Sequence, residues 1–276
     1  MHETPPVIII SPDSTAADYW QEVWRFRSLA FYLAWRDVLV RYKQTVIGVA
    51  WGLLRPAITM LTFTFIFSKL ANLPSGTIPY PLLVLSALLP WQLFATSITG
   101  VGESLTSNSN LISKVYFPRI VAPLSGLMVG VVDFALSLSL LAVVMVWYGV
   151  WPGWQILTLP LFVVLALLPA LGFGLFLATL NVRYRDFRFI IPFMLQIGMY
   201  ISPVGFSSDI MPEKWRLLYS LNPMVGVIDG FRWAISGGDF NIYVPGFCLS
   251  ILLSVMAVLL GILYFRAYEK HFADVI

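Results

Sequence analysis

Residues that could perform covalent or metal chemistry are sparse in this chain of 276 residues. The two histidines, His2 and His271, lie near opposite ends, and Cys248 is the single cysteine. The sequence contains no H-E-x-x-H metal motif, no G-x-S-x-G nucleophile elbow and no G-x-x-x-x-G-K-[ST] phosphate loop. The sequence therefore predicts no metal site and no catalytic residues, and it predicts that the chain does not hydrolyse ATP alone.

Two ionisable residues lie inside long apolar stretches, where a charge costs at least about 2.5–3.5 kcal/mol on insertion scales. They are Arg55 and Asp133. Arg55 is near enough to the end of its stretch to snorkel, and Asp133 can be satisfied by neighbouring serine or backbone groups; the alternative is that each serves transport. So few charges argue against an ion-coupled carrier, which needs a cation-binding cluster near the midplane.

The composition is that of a membrane protein. Hydrophobic residues make up 59% of the chain, charged residues only 11%, and the mean hydropathy is +0.83. A soluble domain carries about 25% charged residues, so this chain cannot cover a globular surface. The net charge of +3 is too small for a nucleic-acid binder.

Apolar stretches of the length that crosses a bilayer occur six times. The sequence predicts an all-α integral membrane protein with a tail at 1–15, an N-terminal amphipathic helix at 16–44 and a cytoplasmic tail at 269–276. Pro192 and Pro203 make the fifth span the least regular. The broken apolar stretch after it, within 207–236, predicts a re-entrant helical pair. The predicted spans are 45–70, 80–101, 120–148, 156–180, 189–206 and 243–268.

Basic residues indicate which side of the membrane each connection occupies. Of the 17 Lys and Arg residues, 12 fall before the first span, in the second-to-third and fourth-to-fifth connections, or in the C-terminal tail. Four lie on the other side: Lys69, Lys214, Arg216 and Arg232. The distribution predicts that both termini are cytoplasmic.

The segment before the first span has the pattern of an interfacial helix. Thr15 and Asp18 form a capping-box-like start. At about 100° per residue, one aromatic stripe gathers on a single face, with charged residues opposite. The stripe predicts a helix on the membrane surface; the alternative is packing on the protein's own cytoplasmic side. Its members are Trp20, Trp24, Phe31, Trp35, Val38 and Tyr42.

Aromatic residues are abundant in and around the spans, and most are expected to be interfacial belts or lipid-facing filler. The functional alternative is a conduit whose aromatic walls let the apolar faces of sugar rings slide past. The candidates for such a conduit are Phe63, Phe67, Trp91, Phe94, Phe134 and Tyr200.

Five dispersed motifs resemble the membrane subunit of ATP-binding-cassette exporters of the O-antigen and teichoic-acid type. They are Tyr42–Pro56 (YKQTVIGVAWGLLRP), Asn110–Arg119 (NLISKVYFPR), Asn181–Asp186 (NVRYRD), Leu221–Met224 (LNPM) and Phe272–Ile276 (FADVI). The resemblance covers nearly the whole chain beyond residue 15.

The resemblance implies a homodimer around a conduit, with two copies of a separate ATPase subunit that carries ATP and Mg²⁺, so this chain itself needs no cofactor. It implies that 108–119 is the coupling segment, which seats in a cleft of the ATPase. Lys114 and Arg119 would offer charge, Tyr116 and Phe117 would offer anchors, and Pro118 would open the next helix. Its predicted contact residues are Asn110, Lys114, Tyr116, Phe117, Pro118 and Arg119.

The resemblance also implies a substrate and a gate. The N-terminal helix would lie where a lipid-linked glycan enters, with Arg36, Arg41 and Lys43 meeting an anionic polyprenyl diphosphate. Residues 202–232 resemble the family's pair of short helices that closes the exit, with Pro203, Asn222 and Pro223 as gate residues.

The expected function is therefore a permease that exports a polyprenyl-diphosphate-linked polysaccharide across the cytoplasmic membrane of a bacterium. Two alternatives stay open: an exporter of lipids or drugs on the same scaffold, and a membrane-embedded enzyme that modifies lipid or sugar. An enzyme would turn over without an ATPase partner, whereas an exporter would not.

Overall fold

Helices form all the regular structure in the residues described by the computed structural model, which are 16–43, 48, 50–74, 76 and 78–272. The predicted tail at 1–15, residues 45–47 and 49 of the first predicted span, and residues 273–276 lie outside this description.

The helices follow the predicted order. Their bounds are α1 (Ala16–Arg25), α2 (Arg27–Lys43), α3 (Ala50–Phe63, continued by π-helix at Thr64–Leu70), α4 (Tyr80–Ser107), α5 (Ser109–Ile112), α6 (Val121–Trp147), α7 (Leu159–Arg183, preceded by a 3₁₀ turn at Trp154–Thr158), α8 (Phe187–Ile201), α9 (Glu213–Tyr219), α10 (Pro223–Ile235) and α11 (Val244–Tyr268, followed by a 3₁₀ turn at Glu269–His271). A further 3₁₀ turn spans Ser208–Ile210.

Five helices of the described residues are long and apolar enough to cross a bilayer: Ala50–Leu70, Tyr80–Ser107, Val121–Trp147, Trp154–Arg183 and Val244–His271. The fifth predicted span is instead the 15-residue helix α8, about 22 Å long. Pro192 lies inside α8 and does not end it, whereas Pro203 lies beyond its last residue. The count of six spans therefore stays a prediction.

Helix α8 nevertheless connects the two ends of the helical bundle. Asn181 of α7 donates to the carbonyl of Gly102 near the end of α4, and α8 begins shortly after that point. Just beyond the end of α8, the carbonyl of Gly205 accepts a hydrogen bond of 2.6 Å from Tyr80, the first residue of α4. Between these two contacts, which lie near opposite ends of α4, the chain runs mainly as α8.

Helix α4 is the centre of the bundle. In its most apolar stretch 78% of the residues are buried, against 50% or less in the other four long helices. It packs against α6 and α7, and it also contacts α3, α8 and α10. Residues on α4 therefore face almost every other long element.

The N-terminal amphipathic segment differs from the single helix predicted at 16–44. It breaks at Phe26 into α1 and α2, and α2 packs along α6. The aromatic stripe is exposed at Trp24, Phe31 and Trp35, as the surface alternative requires. A second apolar side packs inward, as the packing alternative requires, and the location of the exposed stripe on the membrane surface stays a prediction. The inward-facing residues include Tyr19, Val23, Phe26, Leu29, Ala30, Leu33 and Ala34.

Candidate transport groove and coupling segment

A stripe of polar side chains runs along one face of α4. Its members are partly or fully exposed, whereas most of the helix is buried. They recur every three or four residues, so they share one side of the helix over about 22 Å. The stripe consists of Gln92, Thr96, Thr99, Glu103 and Ser107. Sequence reasoning missed it because the second span was predicted to end at 101, which left Glu103 and Ser107 outside the helix.

Two adjoining cavities open onto this stripe, with volumes of about 390 and 670 Å³. Both are lined by Arg41, Arg55 and Thr96, so the two cavities are direct neighbours along α4. Helices α2, α3 and α6 bound it on one side, and Pro192 and Leu195 of α8 bound the larger cavity on the other. We call this space the α4 groove.

A charge cluster lies in the wall of the α4 groove. Arg41 of α2 makes an ion pair of 2.7 Å with Asp133, and Tyr42 donates a hydrogen bond to the same carboxylate. Asp133 lies about 18 Å along α6 from the first residue of that helix. Two expectations from the sequence were wrong here. The described partners of the Asp133 carboxylate are Arg41 and Tyr42, not serine or backbone groups. Tyr42 faces α6 and does not belong to the exposed aromatic stripe.

The other cations predicted to meet a diphosphate differ in their surroundings. Arg36 donates to the carboxylate of Asp37 and, at 2.8 Å, to the side-chain oxygen of Asn108. Lys43 is exposed at the end of α2. Arg55 was predicted as an intramembrane charge and not as a diphosphate contact; it is exposed in the wall of the α4 groove, and within the described residues no carboxylate pairs with it. Arg55 is therefore the groove cation that is available to a ligand.

The predicted coupling segment has an outer and an inner side. Asn110, Lys114 and Tyr116 are exposed, whereas Phe117 is 1% exposed and Pro118 is buried. The prediction of Phe117 as an outward anchor was wrong, because its ring packs in an apolar cluster with α7 and α11. Pro118 precedes α6 by three residues, and its carbonyl accepts from the backbone N–H of Val121.

The Arg119 side chain contacts other residues of the coupling segment. Its guanidinium donates to the carbonyls of Val115 and Phe117, at 3.1 and 3.3 Å, and lies over the Phe117 ring. Partial burial and the nearby carboxylate of Glu22 raise the pKa of Tyr116. Tyr116 therefore keeps a neutral phenol at the surface of this segment.

The predicted conduit aromatics do not form one wall. Phe63, Trp91 and Phe94 are 5–7% exposed and pack inside the chain, which contradicts their prediction as lining residues of this conformation. Phe134 is 6% exposed and its ring meets Phe231 edge-on at 5.9 Å, but Phe134 also lies in the wall of the smaller cavity of the α4 groove.

The Tyr200 ring is 56% exposed and stacks on Phe63 at 6.2 Å, and the half-buried Phe67 ring meets Phe63 edge-on at 5.5 Å. Of the six candidates, Phe134 lines the α4 groove, and Tyr200 and Phe67 are exposed or half-buried.

The predicted gate residues join the end of α8 to the start of α10. Asn222 donates to the Ser202 hydroxyl at 2.8 Å and caps α10 by accepting from the backbone N–H of Met224. Pro223 occupies the first turn of α10. The carbonyl of Pro203 accepts a hydrogen bond of 2.6 Å from Arg232. All three predicted residues thus lie at one junction.

Arg232 of α10 was predicted to lie on the outer side of the membrane. Its side chain is fully buried between neighbouring elements. It donates to the carbonyls of Leu83 and Pro203, and its Nη1 lies 3.9 Å from a carboxylate oxygen of Asp229. Asp229 in turn accepts from the Ser208 hydroxyl at 2.8 Å. An Asp three residues before an Arg in a broken apolar stretch was the available signal for this pair.

Comparison with known proteins identifies the architecture. Residues 28–236, which include α2 to α10 and the whole α4 groove, match the family described as ABC-2 type transporter. The chain belongs to the ABC-2 type transporter family. It is therefore a multi-pass membrane subunit of an ABC transporter, and membership implies an ATPase partner.

Relatives within the ABC-2 family carry export functions in their names. The O-antigen export system permease protein RfbA of Myxococcus xanthus is 32% identical over 216 residues, which are 77% of this chain and 82% of the relative. A Klebsiella pneumoniae protein of the same name is 28% identical and covers 87% and 92%. The polysialic acid transport protein KpsM of Escherichia coli is 21% identical and covers 85% and 91%.

Proposed function

We propose that this chain is the permease of an exporter that moves a polyprenyl-diphosphate-linked polysaccharide outward across the bacterial cytoplasmic membrane. Two copies of the chain would enclose the conduit. Two copies of a separate ATPase subunit would supply ATP and Mg²⁺, while this chain would carry neither. Both chain termini would be cytoplasmic.

The observation that carries the proposal is the polar stripe of the α4 groove. The Gln92 amide and the Thr96 hydroxyl can exchange hydrogen bonds with sugar hydroxyls, and the Thr99 hydroxyl, which donates to the Ala95 carbonyl at 2.9 Å, can accept one. An exported lipid or apolar drug would not need this stripe. A polymer also has to pass without being held tightly at one place, and the neutral side chains of Gln92, Thr96 and Thr99 suit that demand. The names of the RfbA and KpsM relatives support the same substrate class.

The cations of the groove support an anionic group at the leading end of the glycan. Arg55 is exposed in the groove wall, and the guanidinium of Arg41 lies in the same wall. Charge-assisted hydrogen bonds from guanidinium groups suit phosphate oxygens. We propose that Arg55 and Lys43 contact the diphosphate. Arg36 and Arg41 are bound to other side chains of this chain, and we propose that they help to position α2.

The exposed side of the coupling segment supports the proposal that the ATPase docks on this segment. Lys114 offers a charge and Tyr116 an amphipathic ring, and both are exposed beside Asn110. Tyrosine is a frequent anchor in protein interfaces. Binding of ATP by the partner would displace this segment, and the displacement would open the dimer along the α4 groove.

The test removes the hydroxyls of the groove without changing side-chain size much. In a strain that lacks the chromosomal copy, we expect Thr96→Val with Thr99→Val to lower surface polysaccharide at least about fivefold, because sugar hydroxyls lose their partners. Chain abundance and basal ATP hydrolysis should stay at the wild-type level. Thr62→Val is the matched control, since Thr62 on α3 bonds its own helix as Thr99 does on α4 but is not among the residues that line the α4 groove.

Two outcomes would contradict the proposal. If the double variant shows surface polysaccharide at the wild-type level, the α4 groove is not the conduit. Absence of lipid-linked polymer inside cells that lack the permease would favour a lipid or drug exporter, and turnover of a lipid or sugar by the purified chain without its ATPase would favour an enzyme.

A further inference from the structure

The C-terminal 3₁₀ turn holds together two parts of the chain that are far apart in sequence. One oxygen of the Glu269 carboxylate accepts a hydrogen bond of 2.9 Å from the Tyr19 hydroxyl in α1. The other accepts one of 2.8 Å from the backbone N–H of Arg119, at the end of the coupling segment. A single carboxylate thus bridges α1 and the coupling segment.

Apolar packing beneath Glu269 joins the same three parts. Phe117 of the coupling segment, Phe265 of α11 and Phe272 after the turn are 3% exposed or less. The Phe265 and Phe272 rings meet edge-on at 5.2 Å, and Tyr19 packs on the same cluster. The three parts therefore share one small core, separate from the larger core at the other end of the molecule.

Further charged groups surround this contact. The Arg266 guanidinium lies 4.4 Å from the centre of the Tyr19 ring. Burial and the carboxylate of Glu269 raise the pKa of Tyr19, so its hydroxyl keeps its proton and remains a donor. Glu22, one turn after Tyr19 on α1, lies near Tyr116 of the coupling segment. Glu22 and Tyr116 thus make a further contact between α1 and the coupling segment, besides the bridge through Glu269.

We infer that Glu269 is a positioning residue that makes α1, the coupling segment and the C-terminal turn move as one body during the ATPase cycle. The exposed aromatic residues of α1 would then be carried along the membrane surface by the motion that the ATPase imposes on the coupling segment. This use of the motion rests on the proposed function, whereas the rigid connection itself does not.

The carboxylate suits this role because of its two acceptor oxygens. The two donors meet different oxygens of the carboxylate, so a glutamine in the same place presents its NH₂ group, itself a donor, to one of them, and alanine satisfies neither. A donor left unpaired in a half-buried site loses its hydrogen bond without regaining full contact with water, so α1 and the coupling segment would separate more easily. Tyr19→Phe removes one donor and keeps the ring against Arg266.

A distance measurement tests the rigid connection directly. In a Cys248→Ser background, Arg25→Cys and Ser113→Cys place spin labels on exposed positions of α1 and the coupling segment. The complete complex with its ATPase is reconstituted in lipid nanodiscs, without nucleotide and with ATP trapped by a hydrolysis-deficient ATPase. We expect the label distance to agree within about 2 Å between the two states, and Glu269→Ala to change or broaden it.

A distance that shifts by more than this between the two states in the otherwise wild-type chain would overturn the inference, because α1 and the coupling segment would then move independently. So would an unchanged distribution in Glu269→Ala. If Glu269→Ala fails to assemble, Tyr19→Phe and Glu269→Gln decide the same question with smaller perturbations.

The functional consequence is a loss of coupling. We expect polysaccharide exported per ATP hydrolysed to fall at least about fivefold in Glu269→Ala and less in Glu269→Gln. Glu213→Gln, an exposed glutamate in α9, is the matched control and should keep the wild-type ratio. A wild-type ratio in Glu269→Ala would contradict the role in coupling. If the wild-type complex hydrolyses ATP and exports no polysaccharide, the proposed function fails, while the distances still decide the inference.

Discussion

The guanidinium group of Arg232 is fully enclosed between α10, α4 and the segment after α8. Enclosing a cation is costly unless hydrogen bonds and a counter-charge replace its water. Two backbone carbonyls, of Leu83 and Pro203, and the carboxylate of Asp229 do so here. Arg232 therefore fixes the short helices at the predicted exit to the central helix.

Substitution of Arg232 tests this role at the scale of one residue. We expect Arg232→Ala to lower the free energy of unfolding in detergent by about 3–5 kcal/mol, because Asp229 is left buried without its cation. Arg232→Lys should recover little of the loss, since one ammonium group cannot reproduce the planar fork. The measurement is thermal unfolding followed by tryptophan fluorescence.

Lys214→Ala is the control for this prediction, because Lys214 is exposed on α9 and its loss should change stability by no more than about 0.5 kcal/mol. If Arg232→Lys is as stable as the wild type, the positive charge alone holds the junction and the planar guanidinium fork is not required.

The crossing of α4 and α6 depends on two glycines. A Cβ atom on Gly126 would come within 2.5 Å of the carbonyl oxygen of Gly100, and the reverse contact is equally short. Backbone atoms cannot rotate away as a side chain can, so any larger residue forces the helices apart. Small residues at such crossings are what allow membrane helices to pack closely.

We expect Gly126→Ala to destabilise the chain by about 1–3 kcal/mol, the usual cost of overpacking. The same thermal unfolding assay measures it. Gly52→Ala in α3 is the matched control, because the nearest atom to its new Cβ would lie at 3.6 Å, an ordinary contact. Equal stability of the two variants would show that the α4–α6 crossing can open without cost.

The whole molecule has a coupling end and a gate end. The coupling segment, α1 and the C-terminal turn meet at one end, and the short helices α9 and α10 follow the Gly205 contact at the other. The distribution of basic residues predicts that the coupling end is cytoplasmic.

Cysteine labelling in intact cells checks this sidedness. In a Cys248→Ser background, we expect Lys214→Cys to react with a membrane-impermeant maleimide and Lys114→Cys to react only after the cells are opened. Both positions are exposed, which makes them a matched pair. Labelling of Lys114→Cys from outside would reverse the orientation and remove the coupling segment from reach of a cytoplasmic ATPase.

Helix positions were largely predictable because hydropathy is a local property. The predicted third span at 120–148 agrees with α6 at Val121–Trp147, and the last, at 243–268, agrees with α11 at Val244–Tyr268. The roles of individual side chains were less predictable. Phe117 and Arg41 lie in suitable sequence patterns, but whether each is free or occupied depends on elements that arrive from elsewhere in the chain.

The sequence by itself determined that this chain is an all-helical membrane protein, approximately where its long helices lie, and its resemblance to exporter permeases, because composition, hydropathy and motifs are carried by neighbouring residues. Only the tertiary structure decided that Arg41 binds Asp133, that Arg232 is buried and that Glu269 bridges Tyr19 and Arg119. Tyr19 and Glu269 are 250 positions apart. Contacts over such separations follow from how whole helices pack, and no local pattern in the chain encodes them.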